Sequence, residues 1–537
     1  MVVNGQMHLA RQGWRVARVV GAANAKLGAE TVRLPYPERI PIWGAIIFAI
    51  VLCSMELLQG TSRVFTLCVF LYIVLTAVTI NIGGGLTRPS GAYTLFVAVG
   101  TCILGLTVKA VVWEAADSNL QTPEKTIAVY LAGMASLCVA VYLTRRLVPR
   151  KAWLEGVLTD DNMSLAAKGC LAAGIGLPFL TALIGTESVS VGSAIGQLNH
   201  FVAVSIILGV AYQIRKSGGK SSINTTVVIA SAFLFFFGGI IGAGKQGFFT
   251  PIFSWLLTCA ALRYNFKRSQ LIMVVVALGL MFYYLFPYAQ YARGFGSGED
   301  ETFSARFDRS IHLFMNPAEV RAAYEGGQVE YQSTRDTRAP QYFANDLGLF
   351  ERLQMISMDD ALIQQTDEHG SIGYLPLVYD FYNLVPHFIW ADKPQTIIGN
   401  HYAHELDLGV LADEDLTTGI SFGPLAEAYH LGMWFGVLLV APLLWLMMFL
   451  VHESTTGSIN QTIWSLFLLV EYAHGGVEAM FGFVIYFTGY GTLVLFITAY
   501  ATAYLMPIFG SLIGGPEKRL IRRVGATRSV AKRTGEV

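Results

Sequence analysis

Five cations, Lys245, Arg293, Arg306, Arg352 and Lys393, occupy positions from which they can meet at one face of the molecule. Cations at a membrane face bind phosphate, arginine through a two-pronged fork and lysine as a point charge. A lipid-linked phosphate headgroup lies at that depth. The alternative use of each is ordinary pairing with the carboxylates that surround it in sequence. His387, Asp380, Asp392 and Glu427 can take a proton from a hydroxyl, or can fix a loop by hydrogen bonding. Glu427 stands out because it follows the Gly423–Pro424 turn, where packing can hold a side chain still. Trp390, Tyr382 and Phe388 offer flat apolar faces for a sugar ring or a lipid chain, and Tyr429 lies two residues beyond Glu427.

Other constellations are weaker. Asp413-Glu414-Asp415 has a D-x-D form that can hold a divalent cation, but in so acidic a stretch a solvated run is the competing account. Glu471, His474 and Glu478 interrupt an apolar run. They either line a cavity within the membrane or mark a wet helix end. There is no P-loop, GxSxG, HExxH or zinc spacing, which leaves an ATP-driven pump or a zinc protease without support.

These residues must be positioned by membrane helices. The 537-residue chain is 54% hydrophobic and 14% charged, too little charge to cover a soluble protein of this length. Apolar runs of about 20 residues recur, and inside lipid such runs must be helical because each backbone group has to pair within its own segment. The pattern predicts about twelve spans, near 41–58, 63–82, 91–113, 126–146, 167–185, 194–214, 224–243, 247–264, 269–288, 430–451, 461–476 and 482–506. The eleventh, interrupted by Glu471 and His474, is expected to bend or re-enter.

Lysine and arginine set the orientation. Clusters lie in the first 40 residues, after the fourth span (Arg145, Arg146, Arg150, Lys151), after the sixth (Arg215, Lys216, Lys220), after the eighth (Arg263, Lys267, Arg268) and in the tail from Lys518. Twelve spans put every cluster on one side, so both termini are expected in the cytoplasm. The net charge of zero conceals this asymmetry, because the acid-rich segment 289–429 belongs outside. The basic N-terminus precedes the first apolar run by roughly forty residues, which argues against a cleaved signal peptide. Residues 7–20 form either a basic amphipathic surface helix or a mobile tail. All six cysteines lie in apolar spans, which excludes a disulfide-stapled outer domain and a cysteine zinc site there.

The organisation expected is therefore a basic arm over 1–40, nine spans over 41–288, an outer segment over 289–429, three spans over 430–506 and a basic tail over 507–537. Within the outer segment, the stretch from Phe343 through Gln365 reads as a helix capped by Asn345 or Asp346, with Leu349, Leu353, Ile356 and Ile363 on its apolar face. The aromatic stretch from Ile372 to Pro394 is expected at the membrane interface. Pro386 and Pro394 forbid a regular helix through 384–394 and would fix Trp390 and Lys393 relative to each other. Lys245 lies between glycines at the outer end of the seventh span, where another backbone or a ligand can approach.

With these residues in place, the chain resembles the Wzy-type polymerases of O-antigen and exopolysaccharide repeat units. Pro386, Trp390, Lys393 and Pro394 match a Pro- and Trp-rich element near the end of that family's large outer loop. Ser421, Gly423, Glu427 and Tyr429 match a following Gly/Ser turn and Glu-x-Tyr. Arg352 is similar to an arginine ahead of the first element, and Lys245 to a basic residue after a glycine. His387 stands where the family usually has Arg, and Ala391 where it often has Pro.

The resemblance implies an all-α, GT-C-like polytopic protein of the bacterial inner membrane. It would be a metal-independent and cofactor-free glycosyltransferase that moves a growing polyprenyl-pyrophosphate-linked glycan onto a lipid-linked repeat unit in the periplasm. Arg352, Lys393, Lys245, Arg293 and Arg306 would hold the pyrophosphate beside Trp390 and Tyr429, and Glu427 or His387 would take the acceptor proton. Membrane lipid, a chain-length regulator and other polysaccharide assembly proteins are the partners implied, and nucleic acid is not among them. An O-antigen-ligase-like transferase shares the same plan. A secondary transporter and a structural scaffold of an export complex are the remaining alternatives.

Overall fold

The computed structural model describes residues 31–184, 200–294, 303–323, 340–345, 350–385, 389–390, 392–394, 396–406, 419–475 and 480–514, without the side chains of 181–184, 293, 294, 352, 474, 475 and 514. The protein is mostly helical. Helices stand at each of the twelve places where spans are expected: α1 Ile42–Leu58, α2 Arg63–Gly83, α3 Pro89–Val111, α4 Pro123–Leu147, α5 Met163–Ile184, α6 Phe201–Lys216, α7 Thr225–Ile241, α8 Lys245–Ala261 and α9 Arg268–Ala292. After the outer-segment helices α10 Phe303–Met315, α11 Ile356–His369, α12 Leu375–Asn383 and α13 Ile398–Glu405 come α14 Pro424–Thr456, α15 Trp464–Gly475 and α16 Phe481–Ile513. Among the described residues, seven helices are long and apolar enough to cross a membrane: α2, α3, α4, most of α5, α9, α14 and α16.

Local signals place these helices well. α4 opens on Pro123, whose missing N–H is unneeded there, and carries Glu124 in its first turn and Arg145 and Arg146 in its last, complementing the helix dipole. α14 begins after Gly423 with Pro424 as its first residue. It breaks at Gly432 and Met433, whose backbone leaves the helical region. The eight residues before that break, 424–431, are all buried, so this short piece is packed within protein.

Four apolar cores hold the described residues together, the fourth joining α6, α7 and α8 to Tyr264 and Phe266. The largest joins α1–α4 to α11, α13, α14 and the start of α16. The second joins α5, α6, α15 and the later part of α16. The third gathers α7, α8, α9 and α10.

The ends of the bundle differ in charge. At one end, residues 31–33 pair with 265–267 as a two-stranded antiparallel ribbon, β1 and β2. At that same end Tyr36 donates to Leu86 O, Trp153 N to Ser454 O and Gln461 to Arg150 O, and the basic clusters after α4, α6 and α8 gather there. At the other end, Ser62 N donates to Asp117 and Gln59 to Ala110 O, beneath the outer segment.

Two expectations need correction. The ribbon is a strand pair that a purely helical reading omits. Among the described residues, the α-helix expected from Phe343 starts only at Ile356, after a single 3-10 turn at Phe350–Arg352. The residues just before it are tied to α3 and cannot coil: Met355 N donates to Thr101 O at 3.3 Å, and a methyl group on Gly105 would come within 2.9 Å of Gln354 Cβ. Gln354 Oε1 instead accepts from Ser357 N at 3.2 Å and closes the first turn. Of the two proposed capping residues, Asp346 lies outside the described residues.

Candidate functional site

The end of the bundle opposite the basic clusters is organised by two adjacent aspartates on α11. Asp360 accepts from Gln121 N at 2.5 Å, Thr122 N at 3.0 Å, Thr122 Oγ1 at 3.0 Å and Thr126 Oγ1 at 2.6 Å. It therefore fixes the turn that leads into α4, taking the amides of the two residues just before Pro123. Asp359 accepts from Gly423 N at 2.6 Å and from the Tyr130 hydroxyl, so it holds the start of α14. A Cβ on Gly423 would fall 2.1 Å from Asp359 Oδ2, and only glycine fits that approach. Burial pushes the Asp359 carboxyl up to about 7, against the lowering effect of those two donors.

α12 is amphipathic in an unusual sense. Leu375, Val378, Phe381 and Tyr382 face outward, whereas Leu377 and Asp380 are buried. Apolar residues outside and an acid inside suit a helix lying at a lipid surface. The helix stops just before Pro386, as steric conflict with a following proline requires. Past it, Trp390 packs edge-on to Tyr382 at 5.3 Å. Lys393 is buried and turns back to the helix end, donating to Val385 O at 2.7 Å and to Asn383 O at 3.4 Å. It thereby meets carbonyls that the helix leaves unpaired. Desolvation draws its ammonium below lysine's usual range.

Glu427 lies in the first turns of α14, with no exposed surface. Its Oε2 accepts from Phe481 N, the first amide of α16, at 2.5 Å. The Tyr402 hydroxyl lies beside the carboxyl without completing a hydrogen bond. Tyr429 is fully buried and donates to Asp367 Oδ1 at 2.6 Å, while Lys125 pairs with Asp367 at 3.3 Å. Tyr429 thus fastens the end of α11 to α14.

The cations are distributed as follows. Lys393 sits on α12. Lys245 starts α8 with its ammonium 4.4 Å above the Phe286 ring, among residues of the third core. Arg306 is exposed on α10. Arg293 lies at the end of the helix continuing from α9 and Arg352 in a short turn before α11; their side chains lie outside the described set. His387, Pro386, Phe388, the 413–415 triplet and Glu478 also lie outside it. The structure brings Lys393, Trp390 and Tyr382 together; Glu427 is connected to α12 through Asp380 on that helix's buried face. Lys245 belongs to a different packing cluster.

Sequence reasoning passed over several groups. Asp359 and Asp360 carry a signal, a paired acid facing inward on an amphipathic helix, but their partners are more than 60 residues away in each case. Tyr402 gives none. At the basic end, buried Glu453 accepts from Arg88 at 3.0 Å, from Arg145 at 3.3 Å and from Ser90, joining three helices. Glu471 pairs with His200 at 3.5 Å, which gives one of the acids interrupting α15 a structural partner. Among the described residues no group of three His, Cys, Asp or Glu side chains is arranged to hold a metal ion. Set against known protein families, curated proteins and solved structures, the chain matches none.

Proposed function

We propose that this chain is a polysaccharide polymerase of the Wzy type, a glycosyltransferase that acts at the outer face of the bacterial inner membrane. Both termini would lie in the cytoplasm, with twelve crossings and the outer segment in the periplasm. One observation carries the reading. α12 offers lipid-compatible side chains outward, ends in an aromatic turn tied down by Lys393, and carries on its buried face Asp380, within electrostatic reach of Glu427. A polyprenyl-linked donor needs those three things within one headgroup's reach: an apolar seat, a cation and a proton acceptor.

An ammonium has three donors, and the described contacts of Lys393 use two, leaving one for a diphosphate oxygen. Arg352 would supply the bidentate partner. These cations would offset the charge that grows on the diphosphate as the glycosidic bond breaks, and Glu427 would receive the acceptor hydroxyl's proton. The test is incubation of purified protein with a synthetic polyprenyl-diphosphate oligosaccharide. Products one repeat longer support polymerisation, whereas transfer to a different acceptor without lengthening indicates a ligase. Lys393→Ala and Arg352→Ala are expected to abolish long chains while leaving membrane insertion intact. Unchanged chain length in both removes their proposed roles.

A proton-coupled carrier is the second reading, favoured by Glu56. This acid is fully buried in α1, and neither carboxyl oxygen has a hydrogen-bond partner among the described residues. A carrier would move a solute into sealed vesicles under a pH gradient and would make no longer glycan.

A further inference from the structure

Two carboxyl groups meet at the first residues of α16. Glu427 Oε2 takes the Phe481 amide at 2.5 Å. Asp380, on the buried face of α12, stands over the next residue: a methyl group on Gly482 would lie 2.8 Å from Asp380 Oδ1. Consecutive residues of one helix start therefore touch both acids, which lie within electrostatic reach of each other. Glu427 is 0% exposed and Asp380 7%.

Glu427 Oε1, Asp380 Oδ2 and the Tyr402 hydroxyl are all enclosed, and none has a hydrogen-bond partner among the described residues. The groups that surround the pair are Tyr93 from α3, Asp359 from α11, Tyr402 and Glu405 from α13, and His430 one turn further along α14. Within the described set no lysine or arginine forms an ion pair with either acid. The amide end of α16 offers partial positive charge, enough for one carboxylate. Two desolvated like charges side by side are resolved by retaining a proton. Burial accordingly pushes the Asp380 carboxyl up to about 7.

We propose that Asp380 and Glu427 share a single proton at neutral pH, so that the site handles acceptor protons as a pair and its activity follows pH through that pair. The catalytic part of this inference rests on the transferase reading above. In the transfer, the acceptor hydroxyl oxygen bonds to the anomeric carbon and its proton passes to the ionised member of the pair. The bond from that carbon to the diphosphate oxygen breaks, and its electrons leave with the diphosphate. The pair then releases the extra proton to water.

Infrared difference spectra of the purified full chain, titrated with acid and base in H2O and D2O, test the pairing without any substrate. The wild type is expected to show a protonated, exchange-sensitive carboxyl near neutral pH that is lost on raising the pH. Asp359→Asn identifies any contribution from that neighbouring acid. Removing one member should make the other ionise more readily, so Asp380→Asn and Glu427→Gln should each lower the remaining midpoint by about one pH unit, a tenfold loss of proton affinity. Single variants that titrate like the wild type overturn the pairing. Should the variants not fold, a wild type with both acids ionised at pH 7 overturns it alone. A shared proton without glycan transfer would sink the transferase reading and leave the pair standing. Transfer without a shared proton would sink only the pair.

Discussion

Replacing Asp360 with alanine isolates the joint between the outer segment and the bundle. The side chain accepts from two backbone amides and two hydroxyls at the start of α4. The hydroxyls have other partners within reach, since Thr122 and Thr126 already lie 3.4 Å apart, so their loss contributes little. The two amides have none in the protein; Gln121 is exposed and its amide can turn to water, whereas the half-buried Thr122 amide is left unsatisfied at about 1–3 kcal/mol. The total is roughly 2 kcal/mol. Unfolding entropy scales with length, and for a chain of this size that energy corresponds to a drop of about 2 °C in melting temperature if the bundle unfolds as one unit. The drop is larger if the α4–α11 region melts on its own. The protein supplies its own probe, because Cys53, Cys102, Cys170 and Cys259 are buried and free. A thiol-reactive dye in detergent therefore reports opening of the helices. Asp360→Asn keeps one acceptor and should lose about half as much, while Asp392→Ala, at an exposed position, should lose nothing. If Asp360→Ala melts within a degree of wild type, the docking energy assigned to this residue is wrong.

Three further outcomes follow from the same geometry. Gly423→Ala should destabilise by about 2–4 kcal/mol, since its methyl group displaces Asp359 and strands a buried carboxylate and an amide; dye melting measures this, and Gly419→Ala, in open surroundings, is the control. Asp359 binds a proton more tightly folded than unfolded, so its contribution to stability is greatest at acid pH and declines as pH rises from about 4 through about 7, by roughly 4 kcal/mol at most; melting curves of Asp359→Asn should be flatter than wild type across that window. Glu453→Ala leaves Arg88, Arg145 and Ser90 facing one another and should cost about 3–5 kcal/mol, whereas Arg145→Ala, with Arg88 still in place, should cost well under half of that in the same assay.

Much of the architecture is written locally. Long apolar runs mark the helices, Pro123 and Pro424 mark their starts, and Pro386 marks where α12 must stop. Each of those signals acts through covalent geometry or solvation within a few residues. The docking of the outer segment is different. The stretch before Ile356 has helical character, yet contact with Thr101 and Gly105 prevents it from coiling, and no local pattern announces that contact. Glu427 was visible as a candidate because it follows a Gly–Pro turn. Its neighbour Asp380 was visible only as one acid among several, since what distinguishes it is the backbone of Phe481 and Gly482, a hundred residues onward. Lys393 was legible as a fixed cation, but its use of the helix-end carbonyls depends on the chain doubling back.

The clasp around Glu453 bears on how the chain is made. Its carboxylate follows Arg145 by 308 residues and Arg88 by 365. At ordinary rates of synthesis, roughly 15–60 s separate the appearance of Arg145 from that of the acid that closes over it. During that interval α3 and α4 are already inserted with unclasped cationic tips, and anionic lipid headgroups are the natural temporary counterions. Ribosome-stalled intermediates ending before α14 should therefore bind acidic lipid more strongly than the finished protein does.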